Sequence, residues 1–229
     1  MKKLLEFIIR KDSPEFKLDY SITYSAVFSE LWVMMRMKIR SLRMFLYFLM
    51  PRGIKLGRKV QFHAVHDIKF GKNNLIGDYS YIRALGKNSL TFGDNAGVGD
   101  FCKLITSIQI HDISGFIKLG NNVWIGDCSN LGGSGGLEIG DDTFTGQCFY
   151  CHPENHMFEP TGVLYRKQGV TRKGIKIGRN CWVGSNVTVT DGVEIGDNCV
   201  VATGAVLTKK FPDNSLIGGI PAKLIRKIP

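Results

Sequence analysis

The chain has 229 residues, 44% of them hydrophobic, with 27 glycines and a formal net charge of +10. That length and apolar content provide for one main core with a smaller appendage and exclude a disordered chain, while glycine without a three-residue period excludes collagen. The excess of cations calls for an acidic partner. No zinc-finger, helix-turn-helix or RNA-binding signature accompanies it, so the partner is expected to be a phosphate-bearing cofactor or an anionic membrane surface and not nucleic acid.

Met1-Lys2-Lys3 has the charge of a secretory leader, but Glu6, Arg10, Lys11 and Asp12 interrupt any apolar run behind it. The expected compartment is therefore the cytoplasm, with Cys102, Cys128, Cys148, Cys151, Cys181 and Cys199 reduced. Residues 1–52 form a first, helical segment. From Ser21 to Met50, Val27, Leu31, Met34, Met35, Ile39, Leu42, Leu46 and Leu49 recur at helical spacing, with Arg36, Lys38, Arg40 and Arg43 between them. The uncharged end of this stretch, Met44 to Met50, is too short to span a bilayer. Two expectations follow: the helix packs on the end of the following domain or on a neighbouring subunit, or it lies on a membrane surface. Both can hold at once. Pro51-Arg52-Gly53 marks the boundary.

Beyond it a six-residue period governs the chain. Phe70-Gly71 and Ile76-Gly77 lead to Ile82; Phe92-Gly93 and Val98-Gly99 lead to Leu104. Leu119-Gly120, Ile125-Gly126, Leu131-Gly132, Ile139-Gly140 and Thr145-Gly146 follow. The period is strictest at Ile177, Val183, Val189, Ile195, Val201 and Leu207. Helices repeat their apolar face every three or four residues and strands every two. A period of six fits short strands joined by sharp corners, one aliphatic side chain pointing inward per segment. The glycine behind it supplies a positive φ or a close backbone approach.

This pattern resembles the hexapeptide-repeat acyltransferases, of the galactoside, xenobiotic and polysaccharide O-acetyltransferase type. The resemblance implies an all-β fold: a left-handed parallel β-helix over residues 53–210, three hexads to a coil, followed by a tail over 211–229. Cys181 and Cys199, eighteen residues apart, would then stack on adjacent coils. Cys148-Phe-Tyr-Cys151 has CxxC spacing but no second ligand pair. His63, His66 and His111 lack the HxxxxH spacing of the zinc-binding carbonic anhydrases that share this fold. No catalytic metal is expected.

The period fails between Gln147 and Gly174, and a loop interrupting a regular scaffold is where chemistry is expected. It contains His152, Glu154, Asn155, His156 and Glu159. Asn155-His156-Met157 resembles the catalytic loop of the family, and His156 stands eighteenth when Ile139 is counted as one. His152 stands fourteenth and is the alternative. A neutral imidazole suits the removal of a hydroxyl proton during attack on a thioester, with Glu154, Glu159 or a backbone carbonyl orienting the ring. Downstream, Ile177 to Ser185, Thr208-Lys209 and Gly219 to Lys227 resemble family elements that hold acetyl-CoA. By position, Gly184, Ser185, Thr203 and Gly204 would line the pantetheine arm, with Trp182 and Thr208 beside it. Lys209, Lys223 and Arg226 would meet the phosphates. The resemblance implies an acetyltransferase acting on a sugar hydroxyl, and a homotrimer with sites between subunits. N-acetylation of an amino sugar and a non-enzymatic scaffold are the alternatives.

Overall fold

The computed structural model describes all residues except 12–14, 52, 108–109 and 160. Asp12 of the interrupted leader-like run, Arg52 of the domain boundary and Pro160 of the loop thus lie outside the described residues.

From Lys55 to Leu207 the backbone winds into successive coils with three flat faces. Among the described residues face A has nine strands, from Lys55–Leu56 to Ala222–Lys227. Face B has seven, from Gln61–His63 to Val206–Leu207, and face C six, from Ile68–Lys69 to Glu194–Ile195. Neighbouring coils pair in parallel, and the architecture is the expected left-handed β-helix. The six-residue period explains it directly. Ile177 stacks on Ile195, Val183 on Val201 and Val189 on Leu207, all at most 3% exposed. Each coil therefore adds a layer of aliphatics to one continuous core, and strand N–H groups find their partners on the coils before and after.

The corners divide their labour between two residues. The glycine after each aliphatic gives close approach: a Cβ on Gly140 would lie 2.7 Å from the Arg179 nitrogen on the next coil. The left-handed backbone falls two residues later, on Asn122, Asp142, Asn180 and Asn198. Asn and Asp tolerate that conformation best among residues with a side chain. They also stack: Asn122 Nδ2 donates to Asp142 Oδ1 at 2.7 Å and Asn180 Nδ2 to Asn198 Oδ1 at 2.8 Å. Cys181 and Cys199 occupy one column, as the spacing predicts, each buried with its Sγ donating to a backbone carbonyl. Cys151 turns into the core while Cys148 takes a left-handed corner position, half-buried, so the CxxC pair does not converge.

Two helices, α1 (Lys2–Arg10) and α2 (Tyr24–Ser41), precede the coils. Thr23 Oγ1 caps α2 by accepting the Ala26 N–H at 3.3 Å. A 3₁₀ turn, Leu42–Tyr47, then delivers Met44 into the core beside Ile54 and Leu56. The helical segment thus closes the open end of the solenoid, the packing expected of it, while leaving one flank bare.

The structure gives the tail a fold and shifts one boundary of the sequence reading. Residues 211–229 are an ordered cap: Ser215–Gly219 adds to face A and Ala222–Lys227 folds back antiparallel on it. The hexad is absent there because an antiparallel hairpin replaces the coil. The interruption also begins later than Gln147. Tyr150–His152 is a regular face B strand between Asn130–Gly132 and Thr188–Thr190, with buried Cys151 in the place of an aliphatic. The insertion proper runs from 153 to 174.

Candidate active site

The site grows from one corner of the coil. Between faces B and C the coil at Leu131 turns through Gly132-Gly133-Ser134-Gly135-Gly136. These residues have almost no side chains, and neighbouring loops close over them. A Cβ on Gly133 would lie 2.9 Å from Thr106 Cα, and one on Gly136 would lie 2.6 Å from the Phe116 ring. A Cβ on Gly135 would collide with the Pro153 carbonyl. The preceding coil is longer than the regular eighteen residues at the same corner, and its extra loop brings Ser107 and Asp112 to the glycine floor. The following coil contributes the 153–174 insertion.

The insertion is a short antiparallel hairpin, Asn155–His156 against Val170–Thr171. Its return leg is pinned by buried Asp191, whose Oδ1 accepts the Lys173 and Gly174 N–H groups at 2.7 and 2.8 Å. Its outer leg is tied by Arg172, whose Nε donates to Glu154 at 2.6 Å and whose Nη1 donates to Asp112 on the other loop. Arg172 holds the Asp112 carboxyl below the usual aspartate range, and Asp112 in turn raises Arg172. His156, Arg166, Arg172, Asp112, Glu154 and Ser134 line the resulting polar pocket of about 410 Å³. A larger groove, about 740 Å³, runs along face C, where Lys118, Glu138, Lys176 and Glu194 alternate in sign on successive coils. Glu194 is paired with Lys210 at 2.8 Å, and no histidine or cysteine lines the groove among the described residues.

Of the catalytic residues read from the sequence, His156 lies in the pocket on the hairpin and is exposed. His152 stands at the end of its face B strand, ring parallel to Tyr150 with centroids 6.5 Å apart. Glu154 is committed to Arg172 and Glu159 is exposed; neither hydrogen-bonds His156 among the described residues. Glu154 stands two residues from His156 and lines the same pocket, but its carboxylate accepts from Arg172 and so does not orient the imidazole.

The predicted acyl-donor residues divide between two edges of face B and the cap. Gly184, Ser185, Thr203 and Gly204 stack at the corner between faces A and B, where a Cβ on Gly184 would lie 2.6 Å from the Thr203 nitrogen. Gly204 donates to the Ser185 carbonyl at 2.9 Å, and its own Cβ position is open. Trp182 lies on face A, stacked on Phe144 at 6.1 Å and half exposed. On the other edge His152 is in register with Thr190, which donates to the Leu207 carbonyl at 3.1 Å; Thr208 and Lys209 follow at once. Lys209 Nζ lies 5.9 Å over the Phe211 ring. Lys223 and Arg226 project from the cap strand and are exposed. The sequence reading missed Ser107, Asp112, Ser134, Arg166 and Arg172. Their signal was the five-residue glycine-serine run, a corner where neighbouring loops can close over the backbone.

Residues 174–209 match the family described as hexapeptide repeat of succinyl-transferase. The chain is 29% identical over 160 residues to WbbJ of Escherichia coli, named as a lipopolysaccharide biosynthesis O-acetyl transferase; the match takes in 70% of this chain and 71% of that protein. It is 39% identical over 77 residues to the galactoside O-acetyltransferase of Escherichia coli, 34% of this chain and 35% of the enzyme. Another curated relative is matched over 85% of this chain but 55% of its own length, so the chain spans little more than half of it. Among solved structures, AntD, an N-acyltransferase from Bacillus cereus in complex with dTDP and 3-hydroxybutyryl-CoA, superposes with a TM-score of 0.53 at 16% identity, over 76% of this chain and 82% of AntD. That likeness is one of fold. The hexapeptide repeat read from the sequence is thus the repeat of this chain.

Proposed function

We infer that this chain is an acyltransferase of the hexapeptide-repeat kind, moving the acetyl group of acetyl-CoA to a hydroxyl of a sugar or a cell-surface polysaccharide precursor. The observation that carries the reading is the pocket: a histidine held by a clamped hairpin over a glycine floor, on the same edge of the coil as the column running to Thr208 and Lys209. The relatives support it, since both named Escherichia coli proteins are O-acetyltransferases.

Acetyl-CoA supplies an activated thioester carbonyl. His156, as the neutral imidazole, takes the acceptor's hydroxyl proton as the oxygen attacks that carbonyl. When the carbon–sulfur bond breaks, the imidazolium returns the proton to the departing thiolate, so the products are the acetyl ester and free coenzyme A. Lys209, Lys223 and Arg226, exposed and without carboxylate partners among the described residues, suit phosphate contacts. The small column at Gly184, Ser185 and Gly204 suits the pantetheine arm. In one chain that column stands on the far edge of face B from His152, which favours a homotrimer in which a neighbouring copy brings the two edges together.

A specific observation favours His152 as a second reading of the base. It sits on a coil strand paired on both sides, and strands hold reacting groups more tightly than loops. The test is release of coenzyme A from acetyl-CoA across a panel of sugars, amino sugars and lipid-linked glycans, for the wild type, His156→Ala and His152→Ala. Loss of roughly a hundredfold or more in His156→Ala alone supports the assignment; loss in His152→Ala alone transfers it. Turnover confined to amino sugars makes the enzyme an N-acetyltransferase. Failure to bind acetyl-CoA at all overturns the acyltransferase reading and returns the scaffold one.

A further inference from the structure

The N-terminal helices leave an apolar stripe uncovered. On α2, Phe28, Trp32, Met35 and Ile39 recur at spacings of four, three and four, which places them on one stripe of the helix, and Leu42 at the start of the 3₁₀ turn continues it. Each is between 43% and 59% exposed. Val27, which packs inward, lies on a different face. On α1, Leu4 and Phe7 are bare as well, and an apolar groove of about 370 Å³ runs between Ile8 and the stripe.

Ile39 also walls a second cavity, of about 460 Å³, with the opposite character. Arg36, Arg40 and Arg43 line it from the helical segment, and Arg58 and Lys59 from the first coil. No carboxylate lines it. Arg58 is paired with Asp78 at 2.5 Å behind it. Arg43 donates through Nη2 to the Val60 carbonyl at 2.7 Å, but its buried Nε has no partner. An apolar groove that runs into a cationic cavity has the polarity of an anionic lipid, hydrocarbon leading to phosphate.

We propose that α1, α2 and the first coil form a docking surface for an anionic phospholipid membrane. Phe28, Trp32 and Ile39 enter the acyl boundary, and Arg36, Arg40 and Lys59 meet the headgroup phosphates. Charge complementarity selects this occupant. A second copy laid symmetrically along the stripe would set Arg36, Arg40 and Arg43 of one helix against the same residues of the other. No helix among the described residues is long and apolar enough to cross a membrane, so the contact is interfacial.

The test is co-sedimentation of the full chain with vesicles of phosphatidylcholine alone and of phosphatidylcholine mixed with phosphatidylglycerol, and it does not depend on acetyl transfer. Binding to the anionic vesicles is expected, weakened by salt and about tenfold or more stronger than to the zwitterionic ones. Arg36→Gln/Arg40→Gln is expected to lose about thirtyfold, roughly fivefold for each cation. Trp32→Ser/Ile39→Ser is expected to lose binding with an unchanged thermal melt, because both side chains are already exposed. Equal binding to both kinds of vesicle overturns the proposal, as does unchanged binding by either variant. Self-association that Trp32→Ser/Ile39→Ser abolishes, without vesicle binding by the wild type, would assign the stripe to a second copy.

Discussion

Gly135→Ala isolates the part played by the glycine floor. Gly135 has no positive φ, so alanine is locally tolerated and the effect is steric. The new Cβ would collide with the Pro153 carbonyl, where the insertion leaves the coil, and come within 3.2 Å of the Gly174 nitrogen, where it returns. Both contacts are backbone, so neither can swing aside, and the whole hairpin bearing His156 must move. Overpacking of this kind costs about 1–3 kcal/mol. At this chain length that lowers the melting temperature by about 2–4 °C for each kcal/mol. A displacement near 1 Å at a reacting group costs about a hundredfold in rate. Coenzyme A release should therefore fall about a hundredfold, while acetyl-CoA affinity should be retained, because the residues proposed to hold it lie on later coils. Gly162→Ala is the control within the same insertion, because its Cβ would meet nothing within 4 Å. Full activity in Gly135→Ala, or equal loss in Gly162→Ala, would refute the idea that the floor sets the position of the hairpin.

Arg172→Met removes the bridge between Asp112 and Glu154 and leaves two carboxylates facing one another. Turnover should drop tenfold or more with little change in the melting temperature, since the clamp lies outside the core; unchanged turnover would make it ornamental. The clamp also has a defined pH range. The Arg172 hydrogen bond holds Asp112 below its unfolded value of about 3.9, so its stabilisation is complete above that pH and is lost as pH falls through the lower folded value. Hydrogen exchange in residues 155–171 should thus be protected evenly from pH 8 to about pH 5 once intrinsic rates are corrected, and open only below about pH 4. Opening between pH 7 and pH 5 would place control with another group. Finally, thiol titration of the native protein should find Cys128 and Cys148 reactive. Cys102, Cys151, Cys181 and Cys199 should react only on unfolding. Burial pushes Cys102 up to about 12 and Cys181 up to about 11, and Cys151 well above its ordinary value. Rapid reaction of any of these four would contradict the stacking of the coils.

The sequence by itself determined the scaffold. A six-residue apolar period has one economical solution, and Ile177 to Leu207 stack as that period requires because each inward aliphatic needs only the coil before and after it. It also located the interruption and His156 within it. Three features were decided by the tertiary structure. Cys151 hides a regular strand because a thiol can fill an aliphatic's place in the core, a substitution the hexad rule does not register. The cap over 215–227 is an antiparallel hairpin with a register shift at Leu216/Ile217, invisible to a search in sixes. The pocket joins Asp112, Ser134, Glu154, His156, Arg166 and Arg172 from three coils, and no local pattern links residues sixty positions apart such as Asp112 and Arg172. Periodicity is a property of neighbours along the chain, whereas a site is made where a side-chain-free corner lets separate loops approach one another.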